Sequence, residues 1–244
     1  MWKVILSCLL IFIQDASTKG LPSFIKLCHR NDPNLLKCIV ENLEIIRPKM
    51  KNGIPELFIP PMNPLVIPQA TLNSGANFKA TFKDILMYHA DEFKLEDFTV
   101  DLNNYHIEIK MMFPELRIKS DYNIKGRLLV LNLDGKGPAD GNYTNVQCYV
   151  ALKGNPFNKK GKEYVRWEKE KIDINIGKIN LIFERLFGDN TALNDQTNRV
   201  INQNIDGIIE ELEPVIQEVV SNFVFNLINR LFAKYSISEL FPST

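Results

Sequence analysis

The chain has 244 residues, 45% of them hydrophobic and 24% charged, which is the ordinary composition of a folded globular protein and excludes a disordered or fibrous one. Twenty-nine basic residues balance twenty-nine acidic ones. That balance lacks the footprint expected of a nucleic-acid or anionic-surface binder.

Residues 1–18 open with Lys3 and an apolar run from Val4 to Ile13 and continue into Ala16, Ser17 and Thr18. A run of about ten apolar residues has the length of a signal-peptide core and falls well short of the ~20 needed to span a bilayer. Export is expected, with cleavage between Ala16 and Gly20, leaving residues 19–244 as one domain with no stable membrane insertion. Cys8 departs with the signal. Cys28 and Cys38 are close enough in sequence to pair in an oxidising compartment, closing a loop worth roughly 2–3 kcal/mol. Cys148 is then left single, on an alternating stretch beside Val146 and Val150, as a buried thiol. The sequon Asn142, Tyr143, Thr144 marks Asn142 for N-glycosylation.

A helix is predicted from Asp32 as N-cap, with Pro33 at the first position and apolar pairs Leu35/Leu36, Ile39/Val40 and Leu43/Ile46. Pro48 and Gly53 close it. The prolines at 55, 60, 61, 64 and 68 dictate an extended connector or sheet edge. From about Gln69 to Phe187 the period is two, as in Phe78, Ala80, Phe82, in Ile107, Ile109, Met111, Phe113, and in Ile172, Ile174, Ile176. These are long antiparallel strands with one apolar face. Turns are predicted at Asn73–Gly75, Asn103–Asn104, Lys125–Gly126, Gly135–Gly141 and Asn155–Gly161.

From about Asp195 to Lys234 the period becomes 3.6, with Ile201, Ile205, Ile208, Leu212, Val215, Val219, Phe223, Leu227 and Leu231 on one stripe. This predicts one helix of about 60 Å, kinked at Pro214. The fold class is therefore α+β, elongated, with a long C-terminal helix wrapped by a curved antiparallel sheet.

No catalytic pattern emerges. His29, His89 and His106 lack metal-ligand spacing, no nucleophile elbow is present, and the glycines at 135, 137 and 141 join strands without opening a helix. Lys159, Lys160 and Lys162 read as a solvated loop, and Glu210, Glu211, Glu213 and Glu218 as the polar face of the long helix. No enzyme activity, metal or cofactor is expected.

Three segments resemble the takeout and juvenile-hormone-binding-protein family of insect secreted proteins. They are Phe24 to Cys38 with its two cysteines, Leu43 to Pro68 with Gly53, Ile54 and Pro55, and the C-terminal end from Asn202 to Pro242. The resemblance implies a super-roll of the TULIP type, a disulfide between Cys28 and Cys38, and an internal hydrophobic tunnel for a terpenoid hormone, fatty acid derivative or other lipophile. It implies a monomeric carrier in haemolymph or sensory fluid, with a receptor and a circadian or feeding-related role as further expectations. The hormone-binding branch carries a second disulfide, for which Cys148 has no partner, so the takeout-like branch is favoured. The expected lining is Phe82, Ile109, Met111, Phe113, Val130 and Val150 from the strands, with Ile208, Leu212, Val219 and Phe223 from the helix. A lipid-transfer protein of the same fold and a lipophilic-ester hydrolase are the competing readings.

Overall fold

The structure, a computed structural model, describes residues 20–74, 78–128 and 131–243. The expected signal segment lies outside them, as does Val130. Helix α1 (Leu35–Met50) is followed by a 3-10 turn (Pro55–Leu57) and six strands: β1 (Leu65–Ser74), β2 (Phe78–Tyr88), β3 (Lys94–Asp101), β4 (His106–Leu128), β5 (Leu131–Lys159) and β6 (Lys162–Phe183). Helices α2 (Thr191–Gln203), α3 (Ile205–Lys234) and α4 (Ile237–Leu240) complete the chain. Asp32 does not cap α1 as expected: the helix begins two residues later behind Asn34, whose N–H donates to Asp32 Oδ1 at 2.7 Å.

The strands form one antiparallel sheet in the order β1-β2-β4-β5-β6, with β3 pairing the first part of β4. Helix α3 packs against both β6 and β1, the two ends of that order. The sheet therefore curls around α3, and the helix fills the seam between its edges. This is an α+β architecture of a curved half-barrel and a C-terminal helix.

The exposed polar backbone of an edge strand would invite pairing with another chain. Here asparagines cover it. Asn202 accepts from the Leu181 N–H at 2.8 Å and donates to its carbonyl at 2.7 Å, and Asn198 does the same for Phe183 at 2.9 Å each way. Asn194 accepts from the Phe187 N–H at 2.8 Å. At the far end Asn229 clasps Trp167 through bonds of 2.8 and 2.9 Å. These clasps show that the helical segment runs antiparallel to β6.

The single C-terminal helix expected from periodicity is interrupted. Asn204, with φ −112° and ψ 20°, separates α2 from α3 and donates its N–H to Val200 and Ile201 carbonyls. Pro214 sits inside α3. Residues Gly135–Gly141, read as a turn, instead lie within β5, paired to β4 throughout and to β6 from Ala139. Their glycines serve close approach: a Cβ on Gly135 would lie 2.5 Å from the Leu186 carbonyl oxygen, and one on Gly137 2.4 Å from that of Glu184. The chain leaving β6 crosses directly over them. Lys125–Gly126 is likewise strand, and Asn155–Lys159 extends β5 before the turn at 160–161.

Halfway along the sheet the inward face changes parity. On β4 it passes from Met111 and Phe113 to Leu116, Tyr122 and Ile124; on β5 from Tyr143 to Val146, Cys148 and Val150; on β6 from Ile176 to Leu181 and Phe183. Register puts Pro114, Asn145 and Gly177 in one row at the change, between the pairs Phe113↔Val146↔Ile176 and Glu115↔Thr144↔Lys178. Asn145 has φ +54°, and a side chain on Gly177 would crowd the Asn145 Cβ at 3.0 Å. Pro114 falls in the gap between the parts of β4 that pair β3 and β2, where its missing N–H breaks no ladder. Because all three strands change together, pairing continues without a register shift.

Candidate functional site

The interior consists of two packed bodies. One holds Phe78, Tyr122, Ile124, Phe183, Ile208 and Leu212, with Phe82, Leu181 and Ile216 against it. The other is three clusters joined by Phe113, which packs on each: one around Trp167 and Phe232, one around Ile54 and Phe93, and one around Leu65 and Val146. The bodies share no cluster member and meet beside Gly141, where a Cβ would lie 2.8 Å from both Leu181 Cδ2 of the first and Tyr143 Cε2 of the second. The boundary between them, the waist of the interior, runs between Phe82, Leu212 and Ile216 of the first and Tyr143 and Phe223 of the second. Val219 lies on the intervening turns of α3, half-buried and in neither body.

Of the expected lining, Phe82 and Leu212 belong to the first body on its side of the waist, Phe223 to the second, and Val219 to neither, while Ile208 lies one turn deeper in the first body. Ile109, Met111 and Phe113 belong to the second body's face of the sheet, where Ile109 stands opposite Val150. Val150 itself is 1% exposed and fully enclosed by side chains. Tyr143 was missed, because its strand was read as a turn. Alternation running back from Leu133 through Ala139 would have placed it inside.

Charge is scarce inside. No charged residue is buried as a whole among the described residues, though the Asp91 Oδ1 oxygen is buried without a partner; the buried polar residues are Thr197, Ser221 and Ser236. Burial alone pushes the Tyr143 phenol up to about 12 and the Cys148 thiol up to about 11. A thiol so far from its thiolate is a poor nucleophile. Tyr122, also raised to about 12 chiefly by burial, donates to the Glu184 carbonyl at 2.6 Å. No group of three or more metal-ligating side chains occurs among the described residues. His89 and His106 pair with Glu92 and Glu170 at 2.9 Å on the surface, far from the waist.

One end of the body is tied down by its termini. Cys28 and Cys38 are joined by a disulfide. Arg30 donates to the Leu102 carbonyl at 2.8 Å, and its backbone N–H donates to Pro242. Arg47 of α1 bonds the Phe93 carbonyl and stacks on that ring. The outer face of α1 carries a shallow apolar depression between Leu36, Val40 and Ile45, which faces away from the interior.

The sequence model of the haemolymph juvenile hormone binding protein family matches residues 6–242. The chain belongs to this family. Relatives are similar at moderate identity: the circadian clock-controlled protein daywake of Drosophila melanogaster is 26% identical over 238 residues, covering 93% of this chain and 90% of daywake. Its Drosophila yakuba counterpart is 26% identical over 240 residues, with coverage of 94% and 91%. The crystal structure of Epiphyas postvittana Takeout 1 superimposes with a TM-score of 0.72 at 20% identity, over 88% of this chain and 99% of that one. The juvenile-hormone-binding-protein fold and its takeout-like form are thereby those of this chain.

Proposed function

We propose that this protein is a secreted carrier that holds one small lipophilic molecule in its interior. The observation that supports the reading is the apolar lining at the waist between the two packed bodies, where Phe82, Leu212, Val219 and Phe223 are the side chains a ligand would meet. An apolar ligand there would be held by burial at about 25 cal/mol per Å². Membership of a family named for binding a hormone in haemolymph points the same way. The reading is one of binding, not of turnover, and of a monomer in an extracellular fluid. The disulfide fits that compartment, and no described helix is long and apolar enough to cross a membrane.

Mass spectrometry of organic extracts from protein purified out of a secreting host tests it, with boiled and refolded protein as control. A stoichiometric lipophile recovered from the native protein alone is the expected result and gives the ligand's chemical class. An empty extract, together with no displacement of a fluorescent lipid probe, would mean that side chains fill the waist.

A further inference from the structure

The geometry points to Trp167 as a specificity-determining residue: its indole N–H donates a hydrogen bond to a neutral acceptor oxygen of the ligand, such as an ester or ketone carbonyl. This rests on the carrier reading, with the ligand running about 15 Å along α3 from the waist at Val219 to the level of Asn229. Trp167 is 2% exposed and lies among Val150, Leu152, Val165, Ile172 and Phe232. Its backbone is fully served by Asn229. Its side chain is not, since Nε1 is buried with no acceptor in reach. An indole nitrogen can only donate, and a buried donor without an acceptor is a standing penalty that an incoming oxygen removes.

The direction of the N–H follows from the ring's opposite edge. Cζ3 lies against Gly154 on β5, 3.1 Å from where a Cβ there would sit, so the nitrogen edge turns away from β5 toward the α3 side of the strand. Phe232 meets the indole edge-to-face at 5.2 Å, and a ring face is a much weaker acceptor than oxygen. Neighbouring Val224, Ile228 and Leu231 on α3 are only half-buried, and they are the side chains a ligand atom would displace. The acceptor must be neutral, because with no buried cationic residue among the described residues a carboxylate would arrive without a countercharge.

The test uses the secreted protein, in which Trp167 is the single tryptophan once the signal segment has taken Trp2 with it. Methyl laurate and n-pentadecane, equal in heavy atoms, are titrated against bound N-phenyl-1-naphthylamine while the 15N-indole resonance is followed. Methyl laurate is expected to move the indole proton downfield and n-pentadecane to leave its hydrogen bonding unchanged. Trp167→Phe should then weaken methyl laurate by about tenfold and n-pentadecane by less than about twofold. Displacement of the probe by both compounds without that downfield shift overturns the proposal and leaves the carrier intact. The wild-type resonance decides even if the variant misfolds. If neither compound displaces the probe, the carrier reading fails and takes this inference with it.

Discussion

Replacing Asn198 by alanine strips the Phe183 N–H and carbonyl of their partners at once, both at 2.9 Å. Phe183 is buried, so water replaces those partners poorly. Each unsatisfied buried backbone group costs about 1–3 kcal/mol, which gives roughly 2–4 kcal/mol for the pair after partial relaxation. For a chain of this size each kcal/mol is worth about 2–4 °C, so the melting temperature should fall by about 5–12 °C. Thermal unfolding followed by circular dichroism reads this directly, with exposed Gln196→Ala on the same helix as a control that should not move. Asn198→Asp sharpens the test, since its carboxylate still accepts from the N–H but faces the carbonyl without a donor. That variant should be at least as unstable as alanine at pH 7 and recover as acid protonates the carboxyl. An Asn198→Ala protein melting within about 1 °C of wild type would refute the argument that the asparagines hold the edge.

Gly137→Ala should sharply lower secretion yield, because its methyl would meet the Glu184 carbonyl oxygen at 2.4 Å; Gly161→Ala, with nothing within 4 Å but φ +75°, should cost only about 1 kcal/mol of backbone strain in urea unfolding. Lys162 first, and then the Ser236 backbone and hydroxyl, hold the Glu239 carboxyl at about 2. A carboxyl depressed on folding contributes stability above its unfolded value near 4.5 and loses it as pH falls toward 2. The stability gap between wild type and Glu239→Gln should therefore close across that window in acid-titrated melts. Cys148, raised by burial, should resist a disulfide reagent at pH 8 in the folded protein and react at once in denaturant. Asn142 is exposed on β5, so protein from an insect-cell host should lose mass on enzymatic deglycosylation, and Asn142→Gln should not.

The apolar periodicities made much of this fold legible. Phe78, Ala80, Ile172 and Ile174 face inward as their alternation requires, and the stripe through Ile208 and Leu212 marks the helix face in the core. The glycines between 135 and 141 misled because a glycine demanded by a crossing backbone looks, in one sequence, like a glycine demanded by a turn. That error hid Tyr143 and with it the parity change at Pro114, Asn145 and Gly177. The break at Asn204 was invisible to hydrophobic periodicity, which continues through it from Ile201 to Ile208. Asparagines at 194, 198 and 202 carried a readable signal, a four-residue spacing on one helix face, whose meaning depends on the strand opposite.

The clasps at Asn202 and Asn229 fix two points on the helix and two on β6, Leu181 and Trp167. Between them the helix spans about 40 Å, whereas the strand, at its own rise per residue, has about 46 Å of contour. Helix and strand are therefore string and bow. The surplus of about 6 Å cannot lie flat along the string, and the extra residue beside Ala151 and Leu152, together with the row through Gly177, lets the strand arc outward. The arc stands farthest from the helix at mid-span, at the level of Val215 and Ile216 beside Pro214. Lengthening or shortening β6 between its two clasps would set the height of that arc without changing a residue of the helix.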